Sequence, residues 1–170
     1  SPHIEQLLRD KGYSAIADEL RDFSQGLRFS YPVQEEQLGL GHAVLCAKDA
    51  VGHHPFAVIL PDDLVVGSDP ALVQMAQAWR RNPGNYLAVE EVPPQRISAY
   101  GVVAPAPDGH LDDTTTRLQG MVEKPPVEKA PSNLGIVGRY ILMPQVFDAL
   151  EGTRPGAIGE IQLTDGIGLT

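Results

Sequence analysis

Apolar positions recur with two different periods along this chain, and the changes of period mark its elements. Ile4, Leu7 and Leu8 fall at i, i+3 and i+4, and Ile16, Leu20 and Phe23 at i, i+4 and i+7. Such spacings put side chains on one helical face and predict helices over residues 4–11 and 14–23, separated by Gly12. Residues 27–33 alternate instead, which predicts a strand. Residues 41–50 read as a helix opened by glycines. Residues 55–60 are apolar almost throughout and end in Pro61-Asp62-Asp63. A run apolar on both faces suits a buried central strand of a parallel sheet. Residues 70–81 form the next helix, with Pro70 at its first position. Further strands are predicted over 86–92, 100–104, 118–124 and 136–142, and a short helix over 144–150. Residues 105–109 read as a turn and 125–131 as a loop. A last helical pattern runs over 160–167. Helices and strands alternate in the first half and strands dominate the middle, the mark of an α/β chain with a mixed sheet.

Length and composition narrow the function classes. A chain of 170 residues has room for one domain, expected over 1–170, that buries roughly 70% of its unfolded surface. Hydrophobic residues at 42% and charged residues at 21% are ordinary for a soluble globular protein. No run of about 18 apolar residues is present, so no membrane span is expected. No basic, apolar leader opens the sequence, and the first methionine is Met75. The last helical pattern stops without a cap, so both ends read as cut. The net charge of −9 argues against DNA or RNA as partners, because phosphate neutralisation needs clustered Lys and Arg. A phosphorylated metabolite is still compatible if a few cations and a metal share one cleft. Cys46 is the single cysteine, which excludes an internal disulfide and fits a reducing cytosol. Between Leu45 and Ala47 it reads as a buried apolar residue rather than a reactive thiol. The histidines, at 3, 42, 53, 54 and 110, lack zinc-ligand spacing.

Three motifs carry candidate chemistry. Gly39-Leu40-Gly41-His42-Ala43-Val44 begins like a dinucleotide fingerprint, but Val44 stands at the third glycine, so a nicotinamide cofactor is weakly supported. Alone, the stretch reads as a tight turn opening a helix. Leu60-Pro61-Asp62-Asp63 places two carboxylates at a strand end, where open α/β sheets bind ligands. They could cap a turn or hold Mg²⁺. Gly120-Met121-Val122-Glu123-Lys124-Pro125 sets an acid beside a base at the end of an apolar run. Consecutive strand residues point to opposite faces, so both reach one ligand only if the strand is distorted there. Pro125 ends the ladder and permits that. Alone, the dipeptide is an ordinary surface ion pair. It is followed by Pro131-Ser132-Asn133-Leu134-Gly135-Ile136.

Taken in order, these motifs resemble the middle of the sugar-phosphate nucleotidyltransferases, most closely the bacterial UTP–glucose-1-phosphate uridylyltransferases. The resemblance implies a Rossmann-like α/β fold whose mixed, mostly parallel sheet is flanked by helices. It implies transfer of a uridylyl group from UTP to glucose 1-phosphate, giving UDP-glucose and pyrophosphate, with Mg²⁺ as cofactor. Gln34 and Gly41 then recognise uracil, the glutamine amide matching the N3–H and O4 edge. An arginine commonly precedes that glutamine; here it is Val33. Asp62 holds the metal, with Asp63 in support. Gly101, Glu123, Lys124, Asn133 and Ile136 surround the glucose phosphate, with Lys124 and Asp62 in catalytic roles. Tyr100 is expected to pack, and Thr164 and Asp165 to stand near the cleft rim without a catalytic role. The family's glycine-rich triphosphate loop, Gly-x-Gly-Thr-Arg, and a later metal-binding aspartate are not in this sequence. The stretch by itself is therefore expected to be inactive. A cytoplasmic homo-oligomer is the expected setting. The alternatives are a glucose-1-phosphate thymidylyltransferase, a non-catalytic sugar-nucleotide-binding module, and a glycosyltransferase, which would need an Asp-x-Asp motif that is missing here.

Overall fold

A computed structural model describes residues 2–156 and 159–170. The chain divides into two compact units, Ser1–Tyr31 and Pro32–Thr170. The first is a helical hairpin of α1 (Pro2–Asp10) and α2 (Ser14–Gln25). Gly12 makes the turn at φ +81°, a left-handed conformation that costs other residues energy. Arg9 bridges the helices to Asp18 at 2.6 Å, and Ala17 is buried where they cross.

The second unit is built on a five-stranded sheet: β1 (Phe56–Ile59), β2 (Tyr86–Glu91), β3 (Gly101–Asp112), β4 (Thr115–Glu123) and β5 (Leu134–Leu142). The order is β1-β5-β3-β4, with β2 also on β5. Each ladder among the described strands is antiparallel, which corrects the expected mostly parallel sheet. The physical reason lies in the run at 55–60. Val58 is half-buried, but Ala57 and Ile59 are exposed, so β1 buries one face and pairs on one side, against β5. Apolar residues at every position indicated a strand; they did not indicate its direction.

Two other expectations change. Residues 27–33 form no strand; Phe29, Tyr31 and Val33 are exposed, and alternation without a neighbouring ladder does not fix a strand. The expected turn at 105–109 lies inside β3, which continues to Asp112 with register shifts around Pro105 and His110. Proline lacks the N–H for a regular ladder and is tolerated at such irregularities. The actual turn follows Asp112, whose carboxylate accepts the Thr114 N–H and hydroxyl at 3.0 Å each. The Thr114 N–H, the Thr115 and Thr114 hydroxyls and Arg81 hold that carboxyl well below the usual carboxylate range.

β5 organises the core. Ile136, Gly138, Tyr140 and Leu142 recur at every second position on one buried face. Against it lie α3 (Leu40–Leu45), α6 (Gln145–Gly152) and α7 (Leu163–Gly168), through Val44, Phe147, Leu150, Leu163 and Ile167. The expected helix at 41–50 is split into α3 and α4 (Lys48–Val51). Phe56 stacks on Phe147 with ring centroids 4.7 Å apart, tying β1 to α6. Each fully buried large side chain contributes about 1.5–3 kcal/mol. α5 (Ala71–Arg81) packs on β2 and β5. Among the described residues no helix is long and apolar enough to cross a membrane.

Candidate functional site

A cavity of about 430 Å³ opens over the buried face of β5. Its floor includes Gly101, Ile136, Gly138 and Tyr140; its walls carry Asp62, Asp63, Glu123, Lys124 and Thr164. The structure thus gathers Asp62, Gly101, Glu123, Lys124 and Ile136 around one space.

The acid–base pair reaches it through a distorted backbone. β4 ends at Glu123, and Lys124 adopts φ +44°, the one non-glycine in the left-handed region among the described residues. That conformation costs a non-glycine residue roughly 1–2 kcal/mol. It is held by the Lys124 N–H donating to the Tyr100 carbonyl at 3.0 Å and by the fully buried Pro125. As a result both side chains line the same cavity, with Lys124 Nζ 3.8 Å from Glu123 Oε1. The buried Thr164 hydroxyl donates to Glu123 Oε2 at 3.1 Å and fixes the carboxylate from behind. A side chain at Gly101 would begin 3.1 Å from that same oxygen and 3.1 Å from the Ile136 side chain. Glycine there lets carboxylate and floor approach each other.

The acidic turn is held from below. Arg139 Nη1 donates to the carbonyls of Leu60 and Gly138 at 2.9 Å each, and its Nη2 donates to the Asp63 carbonyl. The Leu60 N–H donates to the Gly138 carbonyl at 2.8 Å. A Cβ on Gly138 would lie 2.7 Å from Asp63 Oδ2 and 2.8 Å from Leu60 Cβ, so only glycine admits the turn this close. Asp63 is half-buried and Asp62 exposed. Tyr140, almost wholly buried, has its phenol pushed up to about 12, first by burial and then by the negative charges of Glu123, Asp63 and Asp62.

Four carboxylates (Asp62, Asp63, Glu123, Glu160) face two cations (Lys124, Arg96) across the cavity. A phosphate entering it needs further positive charge. Among the described residues no three His, Cys, Asp or Glu side chains converge as a metal cage. Asp62 and Asp63 are the side chains at this edge that could hold a divalent cation with one or two protein carboxylates.

The remaining expected residues lie at the periphery. Asn133 is exposed and outside the cavity lining; its carbonyl accepts from the Val92 N–H at 2.8 Å. Gly41 is buried, its N–H donates to the Ile161 carbonyl at 2.9 Å, and a Cβ there would strike that oxygen at 2.7 Å. The Ile161 N–H donates back to Leu38, which clamps the start of α3 to the segment that lines the cavity through Glu160 and Gln162. Gln34 stands beside this clamp, half-buried, with its amide on the Gly39 carbonyl and His42. Cys46 is half-buried, 4.0 Å from His42 Nε2. Tyr100 packs over Gly135, lines the cavity and lies under the Arg96 guanidinium.

Sequence reading missed Arg139, Gly138, Tyr140 and the support from Thr164. One signal was available: Gly138-Arg139 interrupts an apolar strand with a glycine and a charge, which marks a close approach and an inward polar demand.

Known proteins resemble this chain along almost its whole length. Residues 5–168 match the family described as nucleotidyl transferase. A Pseudomonas aeruginosa protein named UTP–glucose-1-phosphate uridylyltransferase is 40% identical over 169 residues, 98% of this chain and 60% of that protein. A crystal structure of apo UDP-glucose pyrophosphorylase matches with TM-score 0.88 at 37% identity, covering 99% of this chain and 62% of the other. A UDP-glucose pyrophosphorylase complexed with UDP-glucose matches with TM-score 0.87 at 36% identity, covering 97% and 64%. The chain thus spans less than two thirds of the length of these relatives.

Proposed function

This chain belongs to the nucleotidyl transferase family, and from that premise we propose that it carries the base- and sugar-phosphate-binding part of a UTP–glucose-1-phosphate uridylyltransferase. The observation that carries the reading is the Glu123–Lys124 pair, turned into one cavity by the left-handed backbone at Lys124. A carboxylate fixed by Thr164 is suited to accept two sugar hydroxyl bonds. An ammonium beside it is suited to a phosphate on the anomeric carbon.

In the proposed reaction an oxygen of glucose 1-phosphate attacks the α-phosphorus of UTP. The bond to pyrophosphate breaks in line, and UDP-glucose forms without a covalent enzyme intermediate. Lys124 neutralises the attacking phosphate, and Glu123 orients the sugar. Gln34 reads the base. Positioning and charge neutralisation supply the rate. Asp62 would hold Mg²⁺, whose chemistry is to neutralise charge on the phosphates. With this reading go the cytoplasm, where UTP and glucose 1-phosphate are made, and a homo-oligomeric assembly. Thymidylyl transfer is the second reading, since the edge that the Gln34 amide would read is one that uracil and thymine share.

Calorimetric titration of the chain with UDP-glucose and with UDP tests the sugar half. Lys124→Ala should weaken UDP-glucose binding by about 1.5–3 kcal/mol, the range for a lost charge-assisted hydrogen bond, with the fold intact. Equal affinity of wild type and variant would overturn the assignment.

A further inference from the structure

The Gln34 carboxamide is held in one orientation by two acceptors. Its Nε2 lies 3.1 Å from the Gly39 carbonyl oxygen and 3.0 Å from His42 Nδ1. A carbonyl oxygen only accepts, so the group facing Gly39 is the amide nitrogen and not the amide oxygen. Both amide hydrogens are then engaged only if His42 Nδ1 also accepts. That requires a neutral imidazole with its proton on Nε2, the nitrogen that faces Cys46 Sγ at 4.0 Å. What the amide has left to offer is its oxygen, an acceptor.

We propose that His42 is a positioning residue for base selection: by accepting from Gln34 it presents Oε1, and not NH₂, to the nucleobase. The consequence is specific. Uracil and thymine carry an N3–H that can donate to Oε1. Cytosine has a bare N3, which would face the oxygen acceptor to acceptor, and it could donate to Oε1 only from its N4 amino group, one position away from where uracil donates. A freely rotating glutamine would flip and serve either base; one clamped by Gly39 and His42 does not. Glu160 and Ile161 stand where a side chain on Gly39 would go, so the carbonyl that forms the other half of the clamp is itself fixed by packing. This inference rests on the reading of Gln34 as the base contact given above.

Two measurements on the full 170-residue chain separate the clamp from that reading. Long-range ¹H–¹⁵N correlation spectra of His42 at pH 8, without nucleotide, should show the Nε2–H tautomer, and Gln34→Leu should relax that preference. A dominant Nδ1–H tautomer would overturn the proposal. Titrations with UMP and CMP then read the consequence. Wild type should favour UMP. His42→Phe, which removes the acceptor but keeps a ring, should lose roughly tenfold or more of that preference. His42→Asn, whose side-chain oxygen can stand in for Nδ1, should keep it. Undiminished preference in His42→Phe would overturn the positioning role and leave the uridine reading standing. The expected tautomer with no preference for UMP in wild type would overturn the uridine reading, and the selection argument with it.

Discussion

Lys124 and Tyr140 are the two residues at which the chain's conformation and ionisation are most bound to the site. Lys124 occupies a backbone region that disfavours side chains, and the side chain it keeps there is a cation facing the cavity. Tyr140 lies beneath Glu123, Asp62 and Asp63 and keeps its proton to about pH 12, against an ordinary value of 10.0. Between those two pH values the unfolded chain has released that proton and the folded chain has not. The stability linked to Tyr140 is therefore complete below pH 10 and is lost as pH rises toward 12. Urea midpoints of wild type and Tyr140→Phe, followed from pH 9 to 12, should show wild type losing on the order of 2 kcal/mol more than the variant. Parallel curves would show that burial and the three carboxylates do not act on this phenol. Asp62 and Asp63 should also separate. Asp62→Asn should weaken Mn²⁺ binding, read by electron paramagnetic resonance with UDP-glucose present, more than Asp63→Asn does, because Asp62 is the more open carboxylate. A larger effect at Asp63 would move the metal ligand by one residue.

At the scale of elements, the acidic turn after β1 and the strand β5 act as a pair. Arg139 grips the turn through the carbonyls of Leu60 and Asp63 while also bonding the Gly138 carbonyl of its own strand, and Gly138 lets the turn lie directly on β5. Gly138→Ala places a methyl 2.8 Å from Leu60 Cβ, an atom that backbone holds in place. The turn must lift, at a cost of about 1–3 kcal/mol in stability, the usual range for overpacking. Mn²⁺ binding should weaken in the same variant. A Gly138→Ala protein with unchanged urea midpoint and unchanged Mn²⁺ spectra would show that the turn adjusts freely. The sequence located this pair only in part. The Pro61-Asp62-Asp63 motif was legible from its place after an apolar run. Its partner was not, because nothing local in Gly138-Arg139 says which loop, 76 to 79 residues upstream, comes to rest on it. The same holds for Thr164, which reaches Glu123 from 41 positions away.

For the sheet unit as a whole, stability and site geometry share one core. Phe147 is 1% exposed and stacks on Phe56, so α6 holds β1 on one side while packing against α7, the helix that carries Thr164, on the other. Phe147→Ala should cost about 3–5 kcal/mol by urea denaturation, a large share of the 5–15 kcal/mol typical of a domain. A loss below 1 kcal/mol would mean that the stack closes over the gap. The sequence alone located most of the helices and sheet strands, among them α1, α2, α5, α6 and β5, since period 3.6 and period 2 are local properties, and it determined the family motifs, since those are local strings. It did not determine that 27–33 forms no strand, that β3 runs on through Pro105, or that the ladders are antiparallel. Those outcomes depend on which backbone donors and acceptors meet across long sequence separations, and a strand's apolar pattern is the same whichever way its neighbour runs. The clamp on Gln34, the grip of Arg139 and the shared cavity of Glu123 and Lys124 came only from the tertiary structure, because each is a distance between segments that the chain brings together by folding.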